Sequence, residues 1–136
     1  MRWWCVLLCC LSWAAQAEMF DAYVIAVIDG DTVLALHGQQ KIKLRLADID
    51  APEKAQAFGR ESREHLKSRV LKKVVQVESR AIDQYGRTIA TLKLDGVDLN
   101  QEQVRQGMAW EYSFHHADRS FIALQNEAQQ AKRGLW

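Results

Sequence analysis

No cysteine follows Cys10 in this chain. Cys5, Cys9 and Cys10 are its three cysteines, so everything downstream can form no disulfide, no thiolate-ligated zinc site and no cysteine nucleophile. Proline is nearly missing, with Pro52 alone, and there are only 7 glycines. That scarcity of breakers, beside 49% hydrophobic residues, excludes a disordered chain. An excess of one charge is lacking too. A net charge of +1, from 18 Lys and Arg against 17 Asp and Glu, excludes a uniformly basic coat. The 136 residues leave no room for a separate cofactor domain beside a catalytic one. Internal repeats, linkers and low-complexity tracts are also absent.

What is present begins with a targeting pattern. Met1-Arg2 is a minimal positive start, Trp3 to Ala15 is almost wholly apolar, and Ala15-Gln16-Ala17 has the small-x-small form of a cleavage site. Residues 1–17 are therefore expected to be a signal peptide removed after Ala17, leaving one domain over 18–136. The apolar run is short for a membrane span; an uncleaved anchor is the competing reading. Export places the mature chain where disulfides are allowed. Since it can make none, its stability has to come from core packing or a bound ligand.

Charge is distributed unevenly. Residues 18–40 carry no Lys or Arg against Glu18, Asp21, Asp29 and Asp31; residues 41–93 carry 13 basic against 7 acidic side chains; residues 94–136 carry 4 against 6. A basic middle between acidic ends suits a local anion site. A solvated helix face accounts for it equally well, because Arg60, Arg63, Lys67, Arg69, Lys72 and Lys73 fall on or near one predicted helix.

Strands come first. Tyr23–Ile28 and Thr32–Leu36 are β-rich runs joined by Asp29-Gly30-Asp31, which predicts a hairpin. Lys41–Leu46 alternates with period 2, placing Ile42, Leu44 and Leu46 on the core side and Lys41, Lys43 and Arg45 on the other. A helix is predicted over Phe58–Leu71, strands over Val74–Glu78 and Thr88–Leu94, and a short helix capped by Asp98 or Asn100 and stopped by Gly107. A last helix runs from an Asp118 cap through Lys132. Five strands with a helix before the fourth fit a small closed antiparallel barrel of the OB type.

Three short motifs carry chemistry. Ile28-Asp29-Gly30-Asp31-Thr32 puts two carboxylates on a tight turn; they are hard-oxygen ligands for Ca²⁺ or Mg²⁺, or simply good turn formers. In Arg45-Leu46-Ala47-Asp48-Ile49-Asp50-Ala51-Pro52-Glu53, one arginine and two acids, Asp50 and Glu53, converge at a strand end. That is costly unless a cation and an anion fill the gap, or unless the cluster is a solvated ion pair. Asp83-Gln84-Tyr85-Gly86-Arg87 offers an aromatic face for a base and a guanidinium fork for phosphate, or a plain hairpin turn.

Taken in order, Asp29-Gly30-Asp31-Thr32, Arg45-Leu46, Asp50-Ala51-Pro52-Glu53, Phe58-Gly59, Asp83, Tyr85-Gly86-Arg87 and Val104–Ala109 resemble the signature stretches of the staphylococcal nuclease (thermonuclease) family. Ala131–Trp136 is similar to the ending of many secreted bacterial members. The resemblance runs from near Tyr23 to Trp136.

It implies an α+β fold, a five-stranded OB-fold barrel with about three helices. It also implies Ca²⁺-dependent hydrolysis of DNA and/or RNA that leaves 3′-phosphate ends. Position by position, it makes Asp31 and Asp50 side-chain ligands of Ca²⁺, the backbone carbonyl of Ala51 a third ligand, and Asp29 their support from behind. Arg45, Glu53 and Arg87 become the catalytic set, and Tyr85 and Tyr112 contact substrate. The family often has threonine where Ala51 stands; alanine keeps the carbonyl. Gln84 replaces a lysine that meets a nucleotide phosphate in the prototype, and Trp110–His116 aligns only loosely with a tyrosine-rich pocket. His115-His116 invites a zinc reading, yet adjacent histidines rarely face one ion. The expected protein is a secreted or periplasmic monomer with no stable protein partner and no membrane attachment once its signal is removed. The alternative is a non-catalytic OB-fold module that binds nucleic acid. A full set of Asp31, Arg45, Asp50, Glu53 and Arg87 favours the enzyme, because a binder gains nothing from an acid aimed at phosphate.

Overall fold

A computed structural model describes residues 17–136. The expected signal segment, 1–17, lies outside the described residues except for Ala17. The chain opens with a meander, β1 (Met19–Asp29), β2 (Thr32–His37) and β3 (Gln40–Leu46). After β4 (Ile49–Asp50) and helix α1 (Gly59–Val70) come β5 (Val74–Ile82), β6 (Thr88–Leu94) and β7 (Val97–Asp98). Helix α2 (Leu99–Arg105), β8 (Trp110–Glu111), a single 3₁₀ turn (Phe114–His116) and α3 (Arg119–Gln130) complete it. Among the described residues, no helix is long and apolar enough to cross a membrane.

The strands lie in the order β3-β2-β1-β5-β6, and β6 pairs back onto β3 to close a five-stranded barrel. The closing seam is parallel, with Leu44, Arg45 and Leu46 opposite Thr88, Ile89 and Ala90. The five-stranded OB-fold barrel with three helices expected from sequence is found, and only its wholly antiparallel closure is corrected. Four successive antiparallel pairings leave the first and fifth strands pointing the same way, so an odd-membered ring needs one parallel seam. β1 is longer than predicted because Met19 and Phe20 pair with Glu78 and Val77 before its predicted start, and β5 is longer because Ser79, Ala81 and Ile82 go on to pair with β6.

Period-2 alternation builds the core. Val24, Val33, Leu44, Leu46, Val75, Val77 and Leu92 are fully buried inside the barrel. α1 covers it with Ser62, Leu66 and Val70. α3 packs through Phe121 and Ala128, with Asp118 capping it by accepting from the Ser120 amide at 3.0 Å. Of the two residues that could cap α2, Asp98 does so, accepting from the Gln101 amide. Asn100 is fully buried instead. Its Nδ2 donates to the carbonyls of Ala47 and Ala90, and its Oδ1 accepts from the Leu92 amide, so it pins β6 to the chain leaving β3.

Candidate active site

The β1–β2 turn is no ordinary surface hairpin. At Gly30 a Cβ would fall 1.8 Å from Ser62 Oγ, so only glycine lets the turn settle on α1. Gln103 Nε2, from α2, donates to the Gly30 carbonyl at 2.7 Å. Asp29 Oδ1 accepts from the Lys54 amide at 3.0 Å, and Asp31 Oδ2 accepts from the Ala51 amide at 2.8 Å. Asp31 is buried, and its Oδ1 accepts from the Thr32 hydroxyl. The first two acidic motifs are thus bolted together through backbone amides. Asp29 supports the 51–54 segment, and Asp31 is fixed at its start.

Arg45 stands on β3, on the side opposite Leu44 and Leu46. One guanidinium nitrogen donates to the carbonyls of Leu46 and Ile49, at 2.6 and 2.8 Å. The other approaches Asp31 Oδ2 at 3.4 Å and Asp50 Oδ1 at 3.7 Å. The pair β4–β8 sets Asp50 opposite Trp110 and carries it beside this guanidinium. Burial pushes the Asp50 carboxyl above its ordinary value; the Asp31 charge and, more weakly, Glu53 push the same way, and Arg45 opposes them. Crowded acids of this kind favour a cation between them.

Glu53 is exposed, two residues beyond Ala51. Its own amide donates to Gln56 Oε1 at 2.7 Å. Gly59, the first residue of α1, lies so close that a Cβ there would sit 1.8 Å from the Glu53 carbonyl oxygen. Helix and acidic loop are therefore fixed to one another. Among the described residues, no three His, Cys, Asp or Glu side chains form a ready-made metal cage. The donors available are two carboxylates and main-chain oxygen. That all-oxygen set fits Ca²⁺, which accepts irregular geometry and completes its shell with water.

Beside this cluster opens a cleft of about 1000 Å³. Arg45, Arg87, Tyr85 and Tyr112 all line it, whereas Asp31, Asp50 and Glu53 do not. Arg45 is thus the one member shared by the acid cluster and the cleft wall. Tyr85 and Tyr112 are exposed, as stacking faces require. Arg87 lies 5.5 Å from the Tyr85 ring centre. Arg87 is not simply an exposed turn residue. Its side chain is half-buried, with Nε donating to Asp83 Oδ2 at 2.7 Å. Asp83 Oδ1 accepts from the amides of Tyr85 and Arg87, so one carboxylate shapes the turn and aims the guanidinium.

Sequence reasoning missed several parts of this site. Gln103 is a polar residue on the buried face of α2, and periodicity gives no sign of it. Asp48, in the turn between β3 and β4, and Arg80 of β5 form an ion pair at 2.6 Å in the cleft wall across a long stretch of sequence. Glu111, Ser113 and His116 form a hydrogen-bonded cluster at spacings that match neither helix nor strand.

Known proteins resemble this chain over most of its length. Residues 43–136 match the family model described as staphylococcal nuclease homologue. An uncharacterized endonuclease of Escherichia coli O157:H7 is 41% identical over 126 residues, which span 92% of this chain and 82% of the relative. An uncharacterized endonuclease of Haemophilus influenzae is 40% identical over 124 residues, 90% of this chain and 70% of the relative. A micrococcal nuclease of Shigella flexneri is 38% identical over 128 residues, 86% of this chain and 74% of the relative.

Proposed function

This chain belongs to the staphylococcal nuclease family, and from that premise we propose that it is a Ca²⁺-dependent nuclease that hydrolyses phosphodiester bonds of DNA and/or RNA and leaves 3′-phosphate ends. The observation that carries the reading is the place of Arg45: within 3.4 Å of Asp31 and 3.7 Å of Asp50 on one side, and in the cleft wall on the other. A phosphodiester in the cleft would meet a guanidinium already set beside two carboxylates suited to calcium.

Asp31, Asp50 and the Ala51 carbonyl would hold the ion, which supplies Lewis-acid stabilisation of a phosphate oxygen when bound. The chain's own residues do the rest. Arg45 and Arg87 grip phosphate oxygens more tightly as negative charge builds on them during attack. Glu53 orients the attacking water and accepts its proton. The bond from phosphorus to the 5′ oxygen breaks, so the phosphate stays on the 3′ side. Tyr85 and Tyr112 offer flat faces to the flanking bases. Export with removal of residues 1–17 is part of the same proposal, and the intact mass of the exported protein tests it.

A gel containing nucleic acid, run with calcium and with excess chelator, tests the central reading. Clearing with calcium alone is expected. Mass analysis of oligonucleotide products then distinguishes 3′-phosphate from 3′-hydroxyl ends. Clearing that survives excess chelator removes calcium from the mechanism.

A further inference from the structure

We propose that His116, held by the buried carboxylate of Glu111, is an additional phosphate contact in the cleft wall, presenting its Nε2 to a phosphodiester of the substrate strand. The proposal rests on the nuclease reading for the identity of its ligand.

Glu111 ends β8, and its side chain is only 6% exposed. A carboxylate so placed is costly unless fully paired. Its Oε2 accepts from the amide and the hydroxyl of Ser113, at 3.1 and 3.0 Å, and its Oε1 meets His116 Nδ1. The Ser113 hydroxyl in turn accepts from the Asp118 amide, which fixes the cluster to the start of α3. A carboxylate on Nδ1 commits that nitrogen to carrying a proton and locks the ring's orientation. The other ring nitrogen, Nε2, has no protein partner among the described residues.

The backbone is arranged to allow this. His115 and His116 both adopt the left-handed region, with φ of 54° and 51°, which non-glycine residues seldom enter. The reversal brings the ring back to Glu111 while His116 remains part of the cleft wall. Arg80 and Arg87, also in that wall, are each engaged by an aspartate, Asp48 and Asp83. His116 adds to them a ring anchored at one nitrogen, with its second nitrogen left to donate. An imidazolium donating one proton to Glu111 and the other to phosphate makes two charge-assisted hydrogen bonds.

Glu111 and Tyr112 touch the ring, His115 and Asp118 lie beside it on its own segment, Asp48 is tied to that segment through the Tyr112 amide, and Arg80, Asp83, Tyr85 and Arg87 share the cleft wall. The Ser120 hydroxyl holds the Asp118 carboxyl below its ordinary value, and Asp48 is paired with Arg80. Histidine is the side-chain type whose charge ordinarily changes between about pH 5.5 and pH 8, and that window is the one the test uses.

The test is fluorescence anisotropy with a labelled single-stranded DNA oligonucleotide, in chelator so that nothing is cleaved. Wild type should bind about three- to fivefold more tightly near pH 5.5 than near pH 8, the scale of one partly exposed ion pair. His116→Gln should lose that gain, His116→Arg should keep the tighter affinity at both pH values, and His115→Gln should follow wild type. If His116→Gln keeps the wild-type pH dependence, or His115→Gln abolishes it, the contact is not His116. A protein that binds in this pattern but clears no nucleic acid in the gel overturns the nuclease reading and leaves the contact standing. One that clears it without the pattern overturns the contact alone.

Discussion

Ala51 donates its amide proton to Oδ2 of Asp31 at 2.8 Å, the same oxygen that Arg45 approaches at 3.4 Å. One carboxylate oxygen therefore joins the β1–β2 turn, the end of β3 and the acidic loop. Asp50 makes no such backbone tie and is half exposed. The two proposed calcium ligands consequently differ in what their loss would do.

In chelator, Asp50→Asn is expected to melt at or above the wild-type temperature, because burial and the neighbouring acids already disfavour its charge. Asp31→Ala should melt lower, by about 1–3 kcal/mol in stability, since the Ala51 amide and Thr32 hydroxyl lose their acceptor. Both variants should lose the stabilisation that calcium gives wild type. Thermal melts with and without calcium check this. A calcium-induced rise in Asp50→Asn equal to that of wild type would take Asp50 out of the ligand set.

Gly30→Ala drives a methyl group into Ser62 Oγ, which donates to the Met108 carbonyl and is fully buried. The overpacking should cost about 1–3 kcal/mol. Because Gly30 adjoins Asp31, calcium affinity should fall as well. Adding Ser62→Ala should restore part of the stability, and a double-mutant cycle measures the coupling. Strict additivity would mean that the clash is relieved by another route.

Arg87→Lys keeps a positive charge but loses the planar fork. Turnover should drop by about a hundred- to a thousandfold, the scale of a lost transition-state donor, with little change in KM. Melting temperature should fall too, since the Nε–H bond to Asp83 disappears. Measurement of kcat, KM and melting temperature at saturating calcium decides it. Turnover within about threefold of wild type would remove Arg87 from the catalytic set and favour a binding module.

Burial pushes the Glu111 carboxyl up, but the amide of Ser113, the His116 ring and the Ser113 hydroxyl outweigh it and hold the group below its ordinary value of 4.5. A lowered carboxylate contributes stability that is present above the unfolded value and is lost as pH falls through the folded one. Acid unfolding should therefore steepen below about pH 4.5, and Glu111→Gln should flatten that part of the curve. A pH series of thermal melts for both proteins tests it; parallel curves below that pH would contradict it.

Much of the molecule was legible in the chain. The period-2 run Lys41–Leu46 gave both faces of β3, and Leu44 and Leu46 are fully buried as that pattern requires. The Asp-Gly-Asp turn and the Arg45–Glu53 stretch were readable as motifs, and the structure brings Asp31, Arg45 and Asp50 together. The β3–β6 seam was not legible, since pairing between remote strands leaves no local pattern. Strands as short as β4 and β8, two residues each, are below the reach of periodicity. Asn100 looked like a helix cap because a cap and a buried cross-link use the same side chain. The hold of Asp83 on Arg87 was hidden because its turn-forming role already accounted for it.

The parallel seam has a kinetic consequence. The β1–β2–β3 meander can form from neighbouring segments, but the seam joins Leu44 to Thr88 and has to wait until the intervening chain is ordered. Arg45 pairs across that seam with Ile89, between the acid cluster and the cleft. Until the ring closes, the acids of the first half and the arginine turn of the second belong to separate pieces of chain. Refolding should therefore return strand signal before it returns activity, and the last phase to appear should be the one that joins β3 to β6.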